Sequence, residues 1–73
     1  GGRMKITDAK SYGEAIRKRR KELGYTQAYL AEFTGFSVSF ISDLERGKAT
    51  AEIGKSIYLA KLLDMDLCME NRG

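Results

Sequence analysis

Apolar positions recur at helical spacing along most of the chain. Tyr12, Ala15, Ile16 and Leu23 fall on one face of a first helix. Asp8 is a good N-cap for it; Ser11-Tyr12-Gly13-Glu14 also fits a capping box, and Asp8 is the preferred start. The helix should end near Leu23, with Gly24 as the residue that reverses the chain and Arg19, Arg20 and Lys21 complementing the helix dipole. Thr26 is a fair N-cap for a second helix running to about Phe33, on which Leu30 and Ala31 share a face. Gly35 follows, and Ser37 caps a third helix that ends before Gly47, with Ile41 and Leu44 on one face. Thr50 is expected to cap a last helix through Ile53, Ile57, Leu59, Ala60, Leu62 and Leu63, which Gly54 can split in two.

The period then changes. Residues 64–70, Asp-Met-Asp-Leu-Cys-Met-Glu, alternate, with Met65, Leu67 and Met69 on one face, which predicts a half-buried strand. A strand needs a neighbour for its N–H and C=O groups. Two are available: Met4-Lys5-Ile6, which also alternates, or the same strand in a second chain. The second, a symmetric dimer closed by a two-stranded antiparallel sheet, is favoured because small domains gain stability by associating. The fold class is therefore all-α, a bundle of four to five helices with a short C-terminal β-strand.

Seventy-three residues make one domain near the lower size for an independent core. There is no proline, repeat or low-complexity linker, no apolar run of ~20 residues to span a membrane, and no signal-peptide h-region. Gly1-Gly2-Arg3 ahead of Met4 reads as a tag remnant. The single Cys68 cannot form an internal disulfide, and the absence of histidine argues against zinc; no metal or cofactor is expected, and a cytoplasmic setting is. Cys68 reads as inert, because Asp66 and Glu70 do not lower a thiol pKa. With no histidine, one poorly placed cysteine and scattered carboxylates, the chain lacks a catalytic set and is read as a non-enzyme.

The net charge of +3 conceals an asymmetry. Residues 1–21 carry eight basic and two acidic groups, whereas the rest carry five basic and eight acidic. A basic stripe on one element is the footprint of a polyanionic partner. It precedes the segment Thr26–Lys48, TQAYLAEFTGFSVSFISDLERGK, which reads as a helix-turn-helix: small Ala31 permits a close crossing, Gly35 allows the turn, and Ile41 and Leu44 return to the core. The free face, Ser37, Val38, Ser39, Ser42 and Asp43, is left for a partner, which in this motif is the major groove of double-stranded DNA. Tyr29 and Phe33, one turn apart, read as a packing pair. Phe40 either shields the core edge or touches the sugar-phosphate backbone.

These residues resemble the lambda-repressor-like, Xre-type DNA-binding domains over roughly residues 11–63, and most closely the HipB-like antitoxins, including the Y4mF group. The narrower likeness rests on SFISDLERGKATAEIGK and the terminal DMDLCME. The resemblance implies a helix-turn-helix domain over residues 8–63, preceded by a tag and arm (1–7) and followed by a dimerisation strand (64–70) and a tail (71–73). It implies base reading by Ser37, Val38, Ser39 and Ser42. Backbone contacts are implied for Thr26, Gln27 and Lys48, with Arg17, Lys18 and Lys21 further phosphate candidates. It implies an Arg20–Glu45 ion pair between the first and third helices, and Met65, Leu67 and Met69 at the dimer strand. The chain departs from strong readers in having no Arg, Lys, Asn or Gln at the expected base-reading positions, so specificity per contact should be modest. The expected function is a homodimeric repressor on palindromic DNA, as antitoxin and autoregulator beside a HipA-like kinase toxin. The alternatives are a stand-alone Xre-type repressor, or a protein-interaction module that has lost DNA binding.

Overall fold

The computed structural model describes residues 2–73 and contains four α-helices among them: α1 (Ala9–Glu22), α2 (Gln27–Thr34), α3 (Val38–Glu45) and α4 (Ile53–Leu62). Gly1, the first residue of the expected tag, lies outside the described residues.

Short polar side chains set three of the four starts. Asp8 accepts the Ser11 N–H at 2.7 Å while the Ser11 hydroxyl accepts the Asp8 N–H at 3.1 Å, a reciprocal cap. Thr26 and Ser37 accept the Tyr29 and Phe40 N–H groups, each at 3.0 Å. The Ser11 hydrogen bonds hold the Asp8 carboxyl below its ordinary value near 3.8. A depressed carboxylate contributes stability above the unfolded value and loses it as pH falls through the folded one. Acidification from about pH 4 toward 2 is therefore expected to fray the first turn of α1. Hydrogen exchange at Ser11 and Tyr12 should report it, and Asp8→Ala should already show the frayed rates at neutral pH. Protection, taken relative to intrinsic exchange at each pH, that stays constant in the native chain would show that Asp8 does not hold this turn.

The ends follow backbone rules. Gly24 (φ 76°) and Gly47 (φ 87°) reverse the chain, with Tyr25 N–H donating to Arg20 O and Lys48 N–H to Asp43 O, both at 3.0 Å. After α4 the same turn is made by a non-glycine residue, Asp64 at φ 59°, with Met65 N–H donating to Ala60 O at 2.9 Å.

Ile16, Leu30, Ile41, Leu59 and Leu63 are fully buried and make the centre, one or two from each helix or its cap. Each such side chain contributes about 1.5–3 kcal/mol by leaving water. α1 ties the bundle together. Its Tyr12 hydroxyl donates to the Ser56 carbonyl, and burial raises the Tyr12 pKa, which keeps the phenol protonated as a donor. Arg19 Nε donates to Leu63 O at 2.9 Å and so satisfies an end carbonyl of α4.

Two expectations change, the cap of α4 and the C-terminal strand. Thr50 does not cap α4: the N-cap is Glu52, which makes no side-chain cap bond, and Gly54 lies inside a single unbroken helix. Ile53 and Ile57 do not face the core; they are 77% and 42% exposed, because Ser56, Leu59, Ala60 and Leu63 occupy the inward stripe. Residues 64–70 form no strand among the described residues. Met65 instead completes the α4 turn and packs partly buried on the core, while Leu67 and Met69 are exposed. Arg3 pairs with Glu70, yet no backbone hydrogen bond joins residues 4–6 to 64–70. The strand has no ladder within one chain to satisfy its backbone.

Candidate nucleic-acid interface

The α2–turn–α3 unit is built around a tight reversal. Gly35 takes φ 81° and its N–H donates to Ala31 O at 2.9 Å, a backbone conformation that a Cβ would strain. Thr34 reinforces the turn from its side chain, donating to Leu30 O at 2.7 Å and accepting from the Phe36 N–H at 3.2 Å. Leu30 and Ala31 then meet Ile41 and Leu44 in the core, which fixes the roll of α3 about its own axis.

That roll turns one end of α3 outward. Ser37, Val38 and Ser39 are exposed, Ser42 and Asp43 are half-buried, and Ile41, Leu44 and Glu45 are buried. Ser37 already uses its oxygen as the helix cap, leaving its hydroxyl proton for a partner. Phe40 lies at the core edge, its ring 5.2 Å from Phe36 in an edge-on contact, and Phe36 in turn meets Tyr58 at 5.9 Å. Tyr29 and Phe33 stack on each other at 6.1 Å while remaining half-exposed.

The far end of α3 is anchored by charge. Arg20 on α1 donates from Nε to Glu45 Oε2 at 2.7 Å and from Nη2 to Glu45 Oε1 at 2.9 Å. Its third nitrogen, Nη1, donates to Tyr25 O at 2.7 Å. Gln27 Nε2 adds a bond to Glu45 Oε1 at 3.1 Å, so this amide serves α3 from the first residue of α2. Hydrogen bonding to Glu45 raises the Arg20 pKa, which keeps the guanidinium charged at every pH the fold tolerates. Beside this pair the α1 backbone comes very close to α3. A Cβ on Gly13 would stand 2.2 Å from Leu44 O and 2.8 Å from Glu45 O. Gly47 is similarly confined, with Lys10 Cα 2.7 Å from where its Cβ would be.

The basic run divides by role. Arg20 and Arg19 are engaged within the fold, whereas Arg17, Lys18 and Lys21 form an exposed stripe on α1, flanked by Glu14 and Glu22 around a shallow groove. Thr26 is exposed at the start of α2, and Lys48 is exposed just past α3. Lys48 reaches back to Asp43 Oδ2 at 3.3 Å, and Arg46 donates to Asp43 Oδ1 at 2.6 Å. Arg46 is a cation that sequence reading passed over, although its spacing from Ser42 and Asp43 places it on their face. Gly13 was missed too, because its partners are distant in the chain. Met65 stands apart from Leu67 and Met69, which share the exposed side of the tail. Among the described residues no group of His, Cys, Asp and Glu is placed to hold a metal ion, and no helix is long and apolar enough to cross a membrane.

Residues 16–68 match the helix-turn-helix family. The chain is 43% identical over 51 residues to the uncharacterized HTH-type transcriptional regulator y4mF of Sinorhizobium fredii, covering 70% of this chain and 67% of that one. It is 31% identical over 64 residues to an uncharacterized HTH-type transcriptional regulator of Haemophilus influenzae, covering 88% of this chain and 63% of that one. Its fold overlays a HipB variant in complex with an O2 20mer at a TM-score of 0.87, with 21% identity, covering 99% of this chain and 100% of that one. It also overlays a chain of a HipA-HipB-O2-O3 complex at 0.84, with 20% identity, covering 94% and 97%. At these identities the structural likeness speaks for the fold.

Proposed function

This chain belongs to the helix-turn-helix family, and from that membership we propose that it is a sequence-specific repressor that binds palindromic DNA as a homodimer. Further, it is the antitoxin and autoregulator of a HipBA-like operon, with a HipA-like kinase toxin as its protein partner. The observation that carries the DNA reading is the presentation of α3. Its exposed N-terminal end is oriented by a buried hydrophobic face and a buried ion pair, and its C-terminal end is flanked by Arg46 and Lys48. A rigidly held helix with polar side chains outward is what the major groove admits.

In this reading Ser37, Val38, Ser39 and Ser42 meet base edges, Val38 against a thymine methyl. Thr26, Lys48, Arg17 and Lys21 meet phosphates. Gln27, tied to Glu45, couples a backbone contact to the position of α3. The HipB structures, complexes with 20mers and with HipA, supply the analogy for both partners. The exposed Leu67 and Met69, with Ile53 and Ile57 on α4, give a second copy an apolar surface to cover. Cross-chain pairing of residues 64–70, with Met65, Leu67 and Met69 in the strand, would supply the ladder that a single chain lacks.

Selection from a randomised duplex library tests this. The expected result is a palindrome whose half-site centres lie one turn apart, ~34 Å. Changing Ser39 should then alter preference at one half-site position, whereas Lys48→Ala should weaken all sequences and lessen the salt dependence by about one ion. Enrichment without symmetry would leave a monomeric regulator. No enrichment would favour a protein-interaction module, a reading that the serine-rich face of α3 supports. An adjacent kinase gene distinguishes the antitoxin from a stand-alone repressor.

A further inference from the structure

Asp43 stands between two cations on the outer side of α3. Its Oδ1 accepts from Nη2 of Arg46 at 2.6 Å, and its Oδ2 from Nζ of Lys48 at 3.3 Å. The remaining terminal nitrogen of Arg46, Nη1, donates to the Ser42 hydroxyl at 2.7 Å. Backbone geometry brings Lys48 there: Gly47 reverses the chain, and the Lys48 N–H bonds the Asp43 carbonyl at 3.0 Å. Both cations are thus folded back over the C-terminal half of α3, Arg46 also engaging Ser42, while Ser37, Val38 and Ser39 stay uncovered.

These contacts are weak where the Arg20–Glu45 pair is strong. The Arg46 and Lys48 side chains are 70% and 57% exposed, against 8% and 2% for Arg20 and Glu45. Exposed ion pairs shift equilibria by a few-fold at most, so a phosphate brought into reach can displace the carboxylate. A phosphate ester offers the same cations oxygen acceptors of full charge.

We propose that Asp43 is a detachable counterion for the DNA-binding face. In the free protein it holds Arg46 and Lys48 at its own carboxylate, with Arg46 also bonded to Ser42. On binding, duplex phosphates take the two cations, Ser42 is released toward the groove, and the stranded Asp43 charge weakens the complex whatever its base sequence. The proposal rests on the DNA-binding reading and adds how affinity, as distinct from sequence preference, is set.

Anisotropy titrations of the library-selected duplex and a scrambled duplex, at several salt concentrations, test it. The proteins are the native chain, Asp43→Asn, the double variant Arg46→Gln/Lys48→Gln, and the triple variant. Asp43→Asn should tighten both duplexes alike, by about two- to fivefold at ~0.1 M salt, and steepen the salt slope by about one ion. The gain should disappear in the triple variant relative to the double. Unchanged or weaker binding by Asp43→Asn would overturn the proposal, as would a preference change confined to one base pair, which would make Asp43 a reader of a cytosine amino group. An equal gain in the double-variant background would reduce Asp43 to a general charge effect and also overturn it. If the native chain binds neither duplex at low salt, the DNA reading itself falls; if it binds and Asp43→Asn changes nothing, only the counterion does.

Discussion

Replacing Glu45 with alanine is expected to lower stability by about 3–5 kcal/mol, because it leaves a buried guanidinium without its counterion. Arg20 directs Nε and Nη2 at Glu45, and both side chains are nearly inaccessible to solvent. Gln27 loses its acceptor in the same step. For a domain of this size the loss corresponds to a fall in Tm of roughly 15–30 °C, enough to unfold much of the population. Thermal unfolding followed by circular dichroism measures it. The informative control is Arg20→Met/Glu45→Leu, which removes both charges at similar volume and should recover most of the loss. A double variant no better than Glu45→Ala would mean that shape rather than charge holds α1 to α3.

Gly13→Ala is the second large effect, and two principles oppose each other there. Helix propensity alone favours alanine by about 1 kcal/mol in the middle of α1. Packing opposes it: the new methyl would meet the Leu44 and Glu45 carbonyl oxygens at 2.2 and 2.8 Å, distances that require the two helix backbones to separate. Overpacking a fitted contact costs about 1–3 kcal/mol and more where backbone must move, so the net change is expected to be a loss of ~2 kcal/mol. The displacement falls on the end of α3 that carries Glu45, so DNA binding should weaken further than the stability loss explains. Urea unfolding and duplex titration on the same variant separate the two. A variant as stable as the native chain would show that the crossing has slack.

Much of the scaffold was legible because it is local. Asp8, Thr26 and Ser37 cap helices through bonds to residues three places on, and Gly24, Gly35 and Gly47 mark ends that need a left-handed residue. The start of α4 was misplaced because Glu52 makes no side-chain cap bond, whereas Thr50 offers a cap chemistry that the chain does not use. The inward face of α4 was not legible because the helix carries two apolar stripes, and periodicity cannot say which one turns inward. Gly13 gave no signal, since the reason for it lies on α3. The Asp43 cluster was half legible: the spacing of Ser42, Asp43 and Arg46 is a helical neighbourhood, but only the fold shows Gly47 returning Lys48 to complete it. The strand over residues 64–70 depends on a neighbour that the sequence of one chain cannot supply.

The first helix faces three ways. Gly13 and Arg20 are matched to α3, Ile16 to the centre, and Tyr12 and Arg19 to α4. Many of the constraints that fix the shape of the domain pass through this one segment, the α2–α3 turn and packing aside. None of them involves Val38 or Ser39, which lie exposed beside the Ser37 cap at the opposite end of α3 from the buried pair. These two adjacent positions can therefore change without disturbing the residues that let the chain fold. Under the proposed base-reading role of α3, a lineage with this architecture moves to a new target sequence by small steps at these positions, each leaving a viable protein.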